Sequence, residues 1–121
     1  MTTQQVADKL VALCREGKND QAIEELYADN IVSHEQPGVP QPVTEGKEAV
    51  AEKSKQWAES VAEFHGSSVS DPIVSGDFFA ITIEADVTFK ERGRVQIEEI
   101  GVYEVKDGQI VKEQFVYSMN M

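Results

Sequence analysis

The sequence predicts an α+β domain, a curved antiparallel sheet wrapped around three helices from the N-terminal half of the chain. Three observations carry this expectation. Apolar residues recur at helical spacing in three early segments. From Phe78 to Lys90 the pattern changes to strict alternation, the mark of a strand buried on one face. Asp107-Gly108, between two β-rich runs, is a strong hairpin signal. Helices and strands segregated along a chain in this way give an α+β architecture.

The first helix opens on Thr2 with Gln5 three residues later, a capping box. Val6, Leu10 and Leu13 form its stripe, and Gly17 supplies a stop. Asn19 or Asp20 caps a second helix with Ala22, Ile23, Leu26 and Tyr27 on one face, so the pair reads as an αα-hairpin. Asn30 to Glu35 reads as a short strand. Pro37, Gly38, Pro40 and Pro42 then interrupt regular structure, and long loops of this kind often border a site. A third helix is expected from about Lys47 to Val61, with Val50, Trp57 and Val61 facing inward. Gly66 to Ser70 reads as a polar break.

In the second half, Phe79, Ile81, Ile83, Ala85, Val87 and Phe89 share one strand face. The turns set a register. A two-residue turn at Asp107-Gly108 places Val102 opposite Glu113, Ile100 opposite Phe115 and Glu98 opposite Tyr117. A similar turn at Arg92-Gly93 places Ala85 opposite Ile100, Val87 opposite Glu98 and Phe89 opposite Gln96. The inner face then continues through Ile100, Val102, Phe115 and Tyr117, interrupted by Gln96, Glu98 and Glu113. A slip of one residue would invert this assignment. The outer face would carry Val95, Ile97, Gly101, Tyr103, Val105, Ile110 and Val116 among Glu84, Glu99, Lys112 and Gln114. So apolar an outer face points to an interface, and a homodimer through the sheet is expected.

The chain has 121 residues, 40% of them apolar, which suits one domain over 1–121. Eleven basic against 22 acidic residues give a net charge of −11, which argues against nucleic acid and anionic membrane surfaces as partners. Cys14 is the single cysteine, so no internal disulfide forms, which fits a cytoplasmic location. His34 and His65 with that cysteine make no metal-ligand spacing, and no cofactor motif is present. No metal and no cofactor are therefore expected. The N-terminus carries Asp8 and Lys9 within it, and reads as neither signal peptide nor membrane span.

The order of elements, α-α-β-α-β-β-β-β, resembles the nuclear transport factor 2-like fold over essentially the whole chain. Three strings bring it closest to the SnoaL-like proteins: LYADNIVSHEQPG (Leu26 to Gly38), EGKEAV (Glu45 to Val50) and YEVKDGQIVKEQF (Tyr103 to Phe115). This fold hosts isomerases, cyclases, epoxide hydrolases, dehydratases and non-catalytic binding domains, so the likeness names no reaction.

The resemblance also marks residues. Counted from Tyr27, Glu35 sits where ketosteroid isomerases, which are distantly similar, carry their catalytic aspartate. A partly desolvated carboxylate there would serve as a general base. The plainer alternative is a solvated loop glutamate before Pro37. That family's helix-borne tyrosine donor falls at Leu10 and its protonated aspartic acid, by hairpin register, at Ile100, so both oxyanion donors are missing. SnoaL-like cyclases present a polar pair from the last strand at positions corresponding to Glu113 and Phe115. Glu113 keeps a polar group, whereas Phe115 breaks the pair. The last-strand acid of epoxide hydrolases of this fold also falls at Phe115. His34, next to Glu35, is a candidate proton shuttle, or else a satisfied surface histidine. Glu98 opposite Tyr117 would close the cavity through a hydrogen bond.

The expected ligand pocket is thus lined by Trp57, Ile83, Ala85, Glu98, Ile100, Phe115 and Tyr117, with Glu35, Glu113 and His34 as catalytic candidates. It suits a small apolar molecule with one polar handle. Two functions stand side by side: a small-molecule isomerase, cyclase or hydrolase with a glutamate acid/base, and a non-catalytic ligand-binding or protein-interaction module. The missing donors favour the second, and the inward carboxylates favour the first.

Overall fold

A computed structural model describes residues 1–118, so the last residues of the expected 1–121 domain, 119–121, lie outside the described residues. Thr2 caps the first helix, α1 (Thr3–Arg15), and the capping box closes reciprocally with Gln5. Such a cap contributes about 1 kcal/mol. Gly17 leaves the helix at a φ of 74°, which an L side chain adopts only with strain. Helix α2 (Asn19–Leu26) starts without a side-chain cap and runs directly into strand β1 (Tyr27–His34). Tyr27 therefore belongs to the strand, not to the helical stripe.

The proline-rich loop ends in a short edge strand, β2 (Val43–Glu45), which pairs with β1. Helix α3 (Lys47–Ser60) follows. Its expected stripe is only partly used: Val50 is buried, while Trp57 stays 43% exposed at the last turn. The expected polar break is part of strand β3 (Val61–Val69), where Gly66, Ser67 and Ser68 pair with Asp86, Ala85 and Glu84. Ladder hydrogen bonds hold this strand, and Val69 anchors it in the core, so its apolar pattern is weak.

Strand β4 (Ile73–Ser75) turns at Gly76 into the long strands β5 (Phe78–Phe89), β6 (Gly93–Lys106) and β7 (Gln109–Tyr117). The sheet runs β2-β1-β7-β6-β5-β3, with β4 also on β5. Neighbours are antiparallel except β1 and β7, which pair in parallel, so the sheet is mixed. Helix α1 packs across β3, β4, β5 and β6, and α3 across β1, β2 and β3. The core between these layers holds Val6, Leu10, Leu26, Ile31, Phe79, Ile81, Val105 and Ile110. No helix among the described residues is long and apolar enough to cross a membrane.

The register corrects the expected faces. Phe89 pairs with Gly93, so Lys90, Glu91 and Arg92 form a three-residue turn, with Gly93 at a φ of 80°. Ala85 then faces Ile97 instead of Ile100. An odd shift exchanges the two faces of β6. Val95, Ile97, Glu99, Gly101, Tyr103 and Val105 point to the helices, whereas Gln96, Glu98, Ile100 and Val102 point outward. The Asp107-Gly108 turn forms as expected, but a bulge at Val111 moves the pairing from Val105–Ile110 to Glu104–Lys112. This second odd shift cancels the first. Strand β7 keeps its expected parity, with Glu113, Phe115 and Tyr117 inward and Lys112, Gln114 and Val116 outward.

Candidate functional site

Two polar side chains lie at the bottom of the concave face. Ser33 is 0% exposed and Glu113 3% exposed, and they oppose each other across the parallel pair β1 and β7. The Tyr27 hydroxyl donates a hydrogen bond to Glu113 Oε1. The Ser33 hydroxyl bonds to the same carboxyl. Buried polar groups need such partners, since each unmet hydrogen bond costs about 1–3 kcal/mol. Burial nevertheless pushes the Glu113 carboxyl above the usual range, opposed by those two bonds and by the charge of Lys53.

Above this pair, Lys53 reaches in from α3. Its Nζ lies 3.2 Å from Ser33 Oγ and 3.4 Å from Glu35 Oε1. Glu35 follows β1, and its other oxygen accepts from the Tyr117 hydroxyl at 3.0 Å. The loop is tied at both ends: Glu35 N–H donates to the Pro42 carbonyl at 2.7 Å, and the Gln36 amide to the Tyr117 carbonyl at 2.8 Å. Burial, then the bond to Glu35, pushes the Tyr117 hydroxyl up to about 12.

Glu99 completes the group. It lies opposite Tyr117 on one side and Ile83 on the other. Burial first, then the nearby charges of Glu35 and Glu113, push its carboxyl up to about 7. Beneath it, the Tyr103 ring stacks on Phe79 at 4.8 Å and meets Phe115 edge-on at 6.3 Å. Burial followed by the Glu113 charge holds the Tyr27 and Tyr103 hydroxyls well above their ordinary value. Burial also raises the Cys14 thiol to about 11, so it is no thiolate nucleophile at neutral pH.

Of the expected site residues, Glu35, Glu113 and Tyr117 come together, with Phe115 and Ile83 beside them on the concave side. Trp57, half-exposed on the last turn of α3, meets Phe89 edge-on at 5.9 Å. Ala85 shares the concave face but borders an open groove of about 300 Å³ with Ser67 and Ile97. A second open groove lies by the chain start and the Asp107-Gly108 turn, and neither groove is lined by Glu35, Glu99 or Glu113. Two lining residues are corrected: the three-residue turn after Phe89 puts Glu98 and Ile100 on the outer face, where Ile100 is 45% exposed. His34 is corrected too. It is paired with Gln114, and strand alternation turns it away from Ser33 and Glu113.

Sequence reasoning missed Glu99, Lys53, Ser33 and Tyr27. For Lys53 a signal was present, since it follows Val50 by one helical turn on the inward stripe. Ser33 shares its strand face with Ile31 by simple alternation. Glu99 was lost with the β6 register. The observed register puts Glu99 on the concave face of β6 in place of the expected Glu98 and Ile100. Leu10, by contrast, is a buried core residue, so that position offers no donor. Among the described residues, no group of three or more His, Cys, Asp or Glu side chains is arranged to hold a metal ion.

Comparison with known proteins adds to this geometry. A model of the SnoaL-like domain matches residues 1–117. A candidate SnoaL-like polyketide cyclase from Mesorhizobium loti is similar at 43% identity, with 97% of this chain and 100% of that chain covered and a TM-score of 0.92. A protein of ketosteroid isomerase-like fold from Catenulispora acidiphila, solved with trimethylamine, shares the fold at 15% identity and a TM-score of 0.73, covering 94% of this chain and 85% of that one. A candidate hydroxylase from Streptomyces galilaeus does so at 14% identity and 0.71, covering 98% and 90%. No curated protein matches the chain.

Proposed function

The chain belongs to the SnoaL-like domain family, and from that premise we propose that it binds a small, mainly apolar molecule on the concave face and moves a proton on it with its glutamates. The observation that carries this reading is convergence. Glu35, Glu99 and Glu113 come from the loop after β1, from β6 and from β7, and one lysine, Lys53, acts on all three. Carboxylates are rarely buried unless paired, and a cluster with shifted protonation inside a concave face is the usual mark of acid/base work.

The roles divide by environment. Glu35, whose two oxygens accept from Lys53 and from the Tyr117 hydroxyl, is held in place as the acceptor. Glu99, near neutrality, can give or take a proton at physiological pH. Glu113 is braced by Tyr27 and Ser33 and holds the floor of the site. Phe115, Ile83 and the exposed edge of Trp57 supply the apolar wall. The names of relatives include a polyketide cyclase and a hydroxylase, which fits chemistry on a small organic molecule without choosing the reaction. A second reading, a binding module without chemistry, is favoured by Leu10, an apolar residue at the position where the similar isomerases carry a donor.

Carbon-detected NMR of the side-chain carboxyls, combined with a thermal-shift screen of small hydrophobic carbonyl and hydroxyl compounds, tests the proposal. A bound compound should move the Glu99 titration and the Trp57 indole signal together. Binding that leaves every carboxyl titration unchanged would leave only the non-catalytic reading.

We also propose that a second copy covers the outer face of the sheet. Its exposed apolar residues are Ile73, Phe78, Ile100, Val102 and Val116, not the inward Val95, Ile97 and Tyr103 that the sequence placed there. Ile100 and Val116 are directly paired, so the patch is continuous across β6 and β7. Glu104 beside Lys112 gives its rim both signs of charge, which a symmetric copy can match.

A further inference from the structure

We infer that Lys53 is the residue that takes the ligand's oxygen: its ammonium, set between Glu35 and Ser33 over the concave face, fits a carbonyl or hydroxyl oxygen and rejects an amine. This rests on the ligand site proposed above and names the chemistry of its polar handle.

The geometry leaves Lys53 under-committed. An ammonium has three N–H donors, and Lys53 uses two, at 3.2 and 3.4 Å. Charge-assisted bonds are ordinarily about 2.7–2.9 Å. Lys9 reaches Glu25 at 2.8 Å and Lys47 the Glu24 carbonyl at 2.6 Å, whereas the exposed pair Lys18–Glu16 is as loose as Lys53–Glu35, at 3.4 Å. Lys53 is thus held in place by two loose contacts, with one donor free of any partner among the described residues. Its side chain keeps 28% of its surface accessible, so a ligand atom can reach it.

Charge then decides which atom. Three glutamates invite a cation at first sight. Yet Glu113 is pushed toward its neutral form by burial, and Glu99 is about half protonated near neutral pH. Glu35 already faces Lys53 and the Tyr117 hydroxyl. What remains is close to neutral, with an ammonium at its centre. An amine would set a second cation against Lys53, whereas a carbonyl or hydroxyl oxygen accepts the spare N–H. The Ser33 hydroxyl, committed to Glu113, accepts from Lys53 and donates nothing to the ligand.

The test uses the full chain, 2-tetralone as the probe and 2-aminotetralin as its amine counterpart of the same shape. The readouts are the Trp57 indole signal, Lys53 Cε and the Glu99 carboxyl. Tetralone should move all three in the wild type. It should bind at least about tenfold more weakly to K53M, the loss expected for one charged hydrogen bond. K53R, which keeps a cationic donor, should bind better than K53M, and aminotetralin should move none of the three signals. In folded K53M without ligand, the Glu99 carboxyl should titrate above its wild-type value, because the lysine charge that lowers it is gone. Equal tetralone binding by wild type and K53M, or aminotetralin binding as well as tetralone, overturns the inference and leaves the ligand site standing. If neither probe moves Trp57, the site reading fails and this assignment with it.

Discussion

Replacing Glu99 by glutamine should stabilise the protein, and by an amount that depends on pH in a defined direction. Burial and the charges of Glu35 and Glu113 push its carboxyl from an ordinary 4.5 to about 7. At about 1.4 kcal/mol for each tenfold change in proton affinity, that displacement costs the folded state about 3 kcal/mol once Glu99 is ionised. Well below pH 4.5 the group is neutral in folded and unfolded chains alike, and the cost vanishes. As pH rises toward 7 the unfolded chain releases its proton first, so stability drains away through that window and the full cost remains above it. Glutamine keeps the shape and never ionises. Urea unfolding at about pH 8 should therefore show E99Q more stable than wild type by about 3 kcal/mol, and at about pH 5 by about 1 kcal/mol or less. A stability difference that does not change between these two pH values would refute the reasoning, because it would mean that Glu99 carries no ionisation cost. A stabilising loss of this size is what a group retained for function should show, since active sites hold strained or costly residues that stability alone would remove.

Three further outcomes follow from other parts of the structure. Gly101 faces the Tyr103 ring so closely that an added Cβ would lie 2.9 Å from Cε1 and 3.0 Å from the hydroxyl, so Gly101→Ala should cost about 1–3 kcal/mol in chemical unfolding and disturb the Phe79–Tyr103 stack in near-ultraviolet dichroism. Tyr27→Phe removes the hydroxyl that donates to Glu113; it should destabilise by about 1–3 kcal/mol and raise the Glu113 titration further, with the larger loss at higher pH where Glu113 is charged. Val116→Glu would place an unpaired charge in the proposed sheet-to-sheet interface, and light scattering should show the dimer dissociating toward the 13.4 kDa chain; a wild type already running only at that mass would refute the interface.

The sequence by itself determined the three helices, the first strand and the three long strands in their order, because each rests on local physics, but not the short strands β2 and β4 or the strand that runs through Gly66 to Ser68. Thr2 and Gln5 are one helical turn apart, so their capping box was legible. The alternation of Phe79 to Phe89 could only be a strand with one buried face. The strings around Glu35 and Glu113 carried the family, and both glutamates do lie in the same polar group. The parity of β7 was also legible, although by two opposed errors. What only the tertiary structure decided was which face of β6 looks inward. A three-residue turn at Lys90 to Arg92 in place of a two-residue one, and a bulge at Val111, are each a small change of backbone geometry that most sequences tolerate. Yet with a side-chain period of two, each exchanges a whole row of residues. Glu99 thereby replaced Glu98, and Tyr103 moved from an imagined interface into the core. The partners of Glu113 were hidden for a different reason. Tyr27, Ser33 and Lys53 lie on three elements far from it in sequence, and their convergence depends on the parallel pairing of β1 with β7 and on α3 crossing over it. No local pattern encodes a pairing between the first strand and the last; it exists only when the sheet has closed around the helices.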